Sequence, residues 1–370
     1  MLKLNAAARD RMAIAAGLRR GQFMLKSDID APDEIVALLK QGRQAPAGAD
    51  VAALRTAVTA AAGFNAGDLR PFDGPATFHA VYEGHAPDGR AIMVRASVTS
   101  HEDVACAMGL NDRIHSACAS AAVSTPGQIA CDMTHEHVSY DFEVVDRIQG
   151  TSLNRLEPQE DAFRARLADV SEALARCHLG VPTQGFGLLD PRAAMSPDAP
   201  LTGTCATWAA YLGNHAEEHI HILRDHAEID GETASRITER FAELSDIDGV
   251  SPCLLHGDTT AANIMLDGSG GIVLLDWEDA LSGDPLFDLA ALATFHPVER
   301  HPHIFEGYRR MRPTPRDQAR VYWLYFLRIS VAKQVHRIRF GLNTHPRHER
   351  ARERIFLALG HLESTACAYC

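Results

Sequence analysis

Between Ala162 and His178 the apolar positions Phe163, Leu167, Val170, Leu174 and Cys177 recur at steps of four, three, four and three. That rhythm predicts a helix buried along one face. The same texture covers Trp208 to Ile229, Ser235 to Leu244 and most of Phe305 to Ala358. Upstream the pattern shortens. Leu69 to Phe72, Phe78 to Glu83 and Ala91 to Ser97 read as strands, with Asp73-Gly74-Pro75 and Pro87-Asp88-Gly89 as turns. A helix from about Ser100 to Ala119, a short strand Val123 to Ile129 and a strand Val138 to Ile148 complete a small antiparallel sheet with one helix. Residues 1–65 are Ala-rich and helical in pattern, with Asp30-Ala31-Pro32-Asp33-Glu34 as a helix start and Val51 to Ala62 as a further helix. The expected organisation is therefore a helical extension (1–65), a strand-rich lobe (66–150) and a mostly helical lobe (151–370), an α+β chain.

Composition sets limits on this picture. With 370 residues, 46% apolar and 23% charged, the chain can bury a large core. A net charge of −12 speaks against a nucleic-acid partner, which would require a basic face. No run approaches the roughly 18 apolar residues of a membrane span. The basic, amphipathic N-terminus lacks the apolar region and cleavage site of a signal peptide, so a cytoplasmic protein, monomeric or homodimeric, is expected. Eight cysteines scattered through apolar patterns read as reduced, buried thiols, and the lone CxxC at Cys367 and Cys370 reads as a tail.

The chemistry concentrates between Leu254 and Ala290. Asp258 and Asn263 are five positions apart, and Asp276 follows Asp258 by 18 across an apolar hairpin at 264–275 whose turn is Asp267-Gly268-Ser269-Gly270-Gly271. Carboxylates at the ends of apolar strands sit at the rim of a core, where a cation or hydrogen bonds must compensate their desolvation. One of them can take a proton from a hydroxyl, while a neutral and an anionic oxygen can hold Mg2+.

HGDTTAAN at 256–263 and LLDWEDALSGDPLFDLA at 274–290 resemble the two signature blocks of the aminoglycoside phosphotransferase and choline kinase group. ALARCHLGVPTQGFG at 173–187 is similar to a third block of that group. The resemblance covers roughly residues 65–340. It implies a bilobal protein-kinase-like fold and transfer of a phosphoryl group from ATP or GTP, with Mg2+, to a hydroxyl of a small molecule. It further implies Asp258 as catalytic base, Asn263 and Asp276 as Mg2+ ligands, His256 as a brace of the loop, and Asp284 and Asp288 as its structural support.

In such a lobe a turn cradles phosphates and a cation on the third strand neutralises them. Gly74 and Thr77 stand at the turn and Arg95 at the cation's place; Arg is always charged and can hold two phosphate oxygens. Arg95's acidic partner is expected on the following helix, at Glu102 or Asp112. The segment Val145, Asp146, Arg147 and Ile148 would read the base through its backbone. Trp208 and Glu218 fall in the region expected to contact the acceptor, and Glu278 and Asp279 lie beside the metal site. Acids at 217, 218, 225 and 228 lean toward a cationic or polyhydroxyl acceptor, such as an aminoglycoside-type antibiotic, a sugar or an amino alcohol. Two other readings compete. One is a non-catalytic nucleotide-binding scaffold on the same fold. The other is a zinc hydrolase using His215, Glu218 and His219, which fit an H-x-x-E-H pattern on one helical face.

Overall fold

The strand-rich lobe is built from short antiparallel ladders that alternate inward apolar and outward polar residues. In a computed structural model, which describes residues 50–72, 79–97, 102–190, 199–314, 318–339 and 347–364, β1 (Arg70–Pro71), β2 (His79–His85), β3 (Ala91–Ser97), β4 (Gln128–Asp132) and β5 (Phe142–Asp146) form one sheet in the order β1-β2-β3-β5-β4. Tyr82, Ile92, Val94, Phe142 and Val144 point to one side and pack on α1 (Val51–Ala62) through Leu54, Ala57 and Val58. Asp50 caps α1, accepting from the Ala52 and Ala53 amides at 2.9 and 3.1 Å, and Gly63 at φ +74° ends it. The helix expected near Ser100 is α2 (Glu102–Ser120).

Two strand expectations shift. The segment Val123 to Ile129 is not one strand: Pro126-Gly127 interrupts it and β4 starts only at Gln128. The strand expected over Val138 to Ile148 shortens to Phe142–Asp146. The chain before it is irregular, with an Asx turn from Asp132 to the Thr134 amide at 2.7 Å and His135 at φ +59°.

The large lobe holds α3 (Glu160–Gly180), α4 (Trp208–Gly213), α5 (Ala216–Asp225), α6 (Gly231–Ala242), α7 (Pro285–Ala293), α8 (His301–Arg309), α9 (Ala319–Arg339) and α10 (Arg347–Glu363). Two small sheets lie among them. One orders β11 (Ile272–Leu274), β10 (Ile264–Asp267) and β6 (Gly150–Ser152); the other orders β8 (Gly203–Cys205), β7 (Phe186–Leu189), β12 (Leu281–Gly283) and β9 (Cys253–Leu255). Every residue of α7 is buried, so this helix runs through the core of the lobe, apolar except for Asp288. The helix expected from Trp208 to Ile229 breaks at His215, which adopts φ +53°, and divides into α4 and α5. The next helix starts at Gly231 because Asp230 caps it, accepting from the Thr233 amide at 2.8 Å. No helix among the described residues is long and apolar enough to cross a membrane.

Residues 1–49, Gly74, Thr77, Cys367 and Cys370 lie outside the described residues, as does the side chain of Glu102. The expectations that rest on them are therefore not addressed by the structure.

Candidate active site

Strand β9 delivers His256, Gly257 and Asp258 to the junction of the two lobes, and Asp288 on α7 fixes them from behind. The buried Asp288 carboxylate accepts from the His256 amide at 2.7 Å, the Gly257 amide at 2.9 Å and the His178 ring at 3.2 Å. Burial penalises its charge, but the His178 hydrogen bond and the neighbouring His256 and Gly257 groups prevail, holding this carboxyl below its ordinary range. His178 is oriented in turn by the Tyr308 hydroxyl at 3.0 Å. The His256 ring meets the Leu275 carbonyl through Nε2 at 2.9 Å and accepts the Asp258 amide on Nδ1 at 3.3 Å, which assigns the proton to Nε2. It therefore ties the Asp258 loop to the far strand of the hairpin.

Gly257 makes this turn possible. It sits at φ +81°, and a Cβ there would stand against the Asp279 carbonyl oxygen, well inside van der Waals contact. Gly257→Ala should lower stability by about 3 kcal/mol or more, read as a drop in the denaturant midpoint. An unchanged midpoint would show that the loop has room the structure does not indicate.

Asp258 and Asn263 meet as their spacing suggested. The Asn263 amide donates to the Asp258 carboxylate Oδ2 and to its backbone oxygen, both at 3.0 Å. The Asn263 carboxamide oxygen is thereby turned away from Asp258. Asp258 Oδ1 faces the Lys333 ammonium of α9 at 4.0 Å, and the side chain is 23% exposed in the cleft. Burial pushes its carboxyl up; Lys333 opposes this while Asp276 adds to it. Asp276 follows β11 at φ +60°, a left-handed conformation that swings its carboxylate, 43% exposed, toward the small lobe.

There it meets Arg95, which joins the lobes. One guanidinium nitrogen bonds Glu143 at 2.7 Å; the other bonds Asp276 at 2.9 Å and also Glu278. Burial disfavours the Arg95 charge, but Glu278, Asp276 and Glu143 together hold the guanidinium firmly protonated. Among the described residues an acid that pairs with Arg95 inside the small lobe is Glu143, the residue opposite it on β5, and not Asp112; the Glu102 side chain lies outside the described residues. Glu143 is fully buried, and two carboxamides steady it: Asn111 from α2 at 2.9 Å and Gln128 from β4 at 2.8 Å. A cross-strand neighbour reaches Arg95 directly, whereas the helix presents an amide to the same carboxylate.

Other expected site residues have different positions. Trp208 is 2% exposed and does not face an acceptor. Its ring fills the space left by the absent side chain of Gly283, and its N–H donates to the Tyr325 hydroxyl at 2.8 Å. That hydroxyl donates to Asp284 at 2.8 Å, while Asp284 caps α7 through the Leu286 amide at 2.9 Å. Glu278 is buried at the lobe junction, 2.5 Å from His79 on β2. Asp279 supplies the carbonyl that closes on Gly257. Glu218 bonds Arg339 at 3.0 Å and His215 at 3.1 Å. Val145 is buried in the sheet, Asp146 binds Arg90 at 3.1 Å, and Arg147 binds Glu83 at 2.6 Å, leaving Ile148 in the connection between the lobes.

The zinc arrangement does not form. His219 is fully buried with Nδ1 at 3.2 Å from the Arg328 guanidinium. Burial, then Arg328 and Arg339, push it down to about 2. The described residues contain no cluster of three His, Cys, Asp or Glu arranged to hold a metal.

Glu143, His178 and Lys333 were not assigned from sequence. His178 stands inside the third signature block and could have been found there. Glu143 is one acid in an alternating strand, and Lys333 one cation in a long helix, so neither carries a local signal.

A small antiparallel lobe on a helical lobe, joined at a site of this kind, is a protein-kinase-like fold. The backbone is similar to that of an aminoglycoside phosphotransferase variant in ternary complex with ADP and hygromycin B, with a TM-score of 0.61 over 85% of this chain and all of that one at 20% identity. It is also similar to choline kinase from Streptococcus pneumoniae, with a TM-score of 0.55 over 84% of this chain and 97% of that one at 12% identity. The chain belongs to the phosphotransferase enzyme family, whose profile matches residues 68–324. Among curated proteins, hygromycin-B 4-O-kinase of Escherichia coli is 25% identical over 223 residues, a match spanning 58% of this chain and 60% of the relative.

Proposed function

We propose that the protein transfers the γ-phosphoryl group of ATP, or of GTP, to a hydroxyl of a small molecule. The observation that carries this reading is the convergence, at the lobe junction, of a braced carboxylate, two further oxygen donors and a buried arginine. In this reading Asp258 orients the acceptor hydroxyl and takes its proton. The hydroxyl oxygen forms a bond to the γ-phosphorus as the bond to the β,γ-bridging oxygen breaks, and ADP leaves with that electron pair. Asn263 fixes Asp258 through Oδ2, and Asp288 with His256 prevents the loop from drifting. Arg95, anchored on Glu143 and bonded to Asp276 and Glu278 through its second nitrogen, brings a fixed positive charge to the place where the phosphates would lie.

The donor set also fits Mg2+. The Asn263 oxygen and the half-exposed Asp276 carboxylate are hard ligands, and Mg2+ is commonly held by one or two such groups with phosphate oxygens and water. Bound there, the ion would neutralise charge on the β- and γ-phosphates. The Arg95 guanidinium bonded to Asp276 supports this reading, since the carboxylate already pairs with a positive group.

The test is a coupled ADP-release screen over antibiotics, sugars, amino alcohols and hydroxy acids, run beside Asp258→Asn. Acceptor-dependent ADP release that Asp258→Asn abolishes supports the reading. Nucleotide binding with no acceptor-dependent release from any class would point to the scaffold instead.

A further inference from the structure

Among the described residues Lys333 is the one cation within 4.0 Å of the proposed base, and its surroundings leave its donors unused. It lies on α9, whose residues from Tyr322 to Val335 are otherwise almost all buried, and its side chain is 14% exposed. Its ammonium rests over the Phe295 ring, 4.3 Å from the centroid. At 4.0 Å from Asp258 Oδ1 it makes an ion pair but is too far for a hydrogen bond. An ammonium has three N–H donors to satisfy, and one that is mostly desolvated over an aromatic ring gains from an oxygen ligand.

The side of the site on which it stands follows from Asp258 itself. Oδ2 is held by Asn263, toward the metal and phosphate ligands, while Oδ1 faces Lys333. Lys333, on α9 of the large lobe, thus faces the carboxylate oxygen that Asn263 does not hold. The sequence that follows is basic as well: between 333 and 354 there are seven Lys or Arg residues and two Glu, in a protein whose net charge is −12. Three of those cations already crowd one another, since burial, then Arg337 and Arg350, push Arg354 down to about 10.

The acids that lean toward a cationic acceptor do not offset this. Glu218 is tied to Arg339 and His215, Glu228 to Gln334 at 3.0 Å, and Glu278 to Arg95 and His79. Glu217 and Asp225 face solvent.

We infer that Lys333 selects the acceptor by receiving an oxyanion, a carboxylate or phosphate, carried beside the reacting hydroxyl. The substrate class is then an anionic polyol rather than a polyamine. This deepens the phosphotransfer reading and rests on it. An ammonium group in the same place would meet Lys333 as a like charge, whereas an oxyanion satisfies its donors with charge-assisted bonds.

The experiment uses the full chain saturated with Mg·AMP-PNP, so that the γ-phosphate position is filled. Matched three-carbon probes are titrated by calorimetry: glycerol, glycerol 3-phosphate, glycerate and 3-amino-1,2-propanediol. In the wild-type protein an anionic probe should bind about tenfold or more tighter than glycerol, and the amine more weakly than glycerol. Comparing phosphate with carboxylate identifies the preferred oxyanion. Lys333→Met keeps an apolar stem and should bring all four within about threefold, with an unchanged melting midpoint checking the fold. Lys333→Arg should retain most of the preference. An amine bound as tightly as the oxyanions, no binding by either oxyanion, or a preference that survives Lys333→Met would each overturn the assignment. Failure of Mg·AMP-PNP to bind at all would instead remove the phosphotransfer reading beneath it.

Discussion

Asp258→Asn should lower turnover by about 10²- to 10⁴-fold, the span that a positioned general base contributes. Mg·AMP-PNP affinity should stay within roughly twofold, because uniform nucleotide binding does not draw on the base. The substitution is nearly isosteric. It keeps an acceptor for the Asn263 amide and removes only the charge and the proton-accepting capacity. Steady-state turnover and calorimetry on the same preparation separate the two effects. A variant that loses nucleotide affinity in parallel with turnover would place Asp258 in nucleotide binding instead.

Asp288→Ala should have the largest effect on the fold. It leaves the His256 and Gly257 amides and the His178 ring without their shared acceptor inside a core that excludes water. Removing one partner of such a buried charged network costs about 3–5 kcal/mol, read as a lower urea midpoint with unchanged slope. Asp288→Asn should lie between, since one carboxamide oxygen can serve only part of the set. The pH dependence follows from sign. The folded-state pKa of Asp288 is depressed, so its stabilisation is present above the unfolded value near 3.9 and is lost as pH falls through the lower folded value. Between pH 5 and 8 this group should contribute no slope to stability. A wild-type-like midpoint for Asp288→Ala would mean that the loop is held from elsewhere.

The contrast between these residues and the rest shows what a sequence can carry. Asp258, Asn263 and Asp276 were legible because a single hairpin brings them together, so their spacing already encodes their geometry. Asp288 was legible only through the resemblance of its block to that of the phosphotransferase group, since its spacing alone does not tie it to the His256 loop. Arg95 was legible as a strand cation in the third strand, but its partner was not. The expectation looked for the acid on α2; the described residues show one across the ladder at Glu143, a register fact that needs the pairing of β3 with β5. Trp208 was placed with the acceptor through the region in which it falls, which does not say which way its ring turns. The missing Cβ of Gly283, 75 residues later, decides for the core. Lys333 could not be found at all, since only the packing of α9 brings it to Asp258. The split of the Trp208 to Ile229 helix has the same character: no proline or glycine pair marks the left-handed turn at His215.

Central to the account is the claim that Asp276 and Asn263 hold the divalent cation beside the base Asp258. Phosphoryl transfer by Asp276→Ala, followed by phosphorus NMR with the best acceptor from the ADP-release screen, tests it most directly. The account predicts no phosphorylated product above background, together with loss of the Mg2+ dependence of AMP-PNP binding. A phosphorylated product formed by Asp276→Ala at a rate near that of the wild type would contradict it.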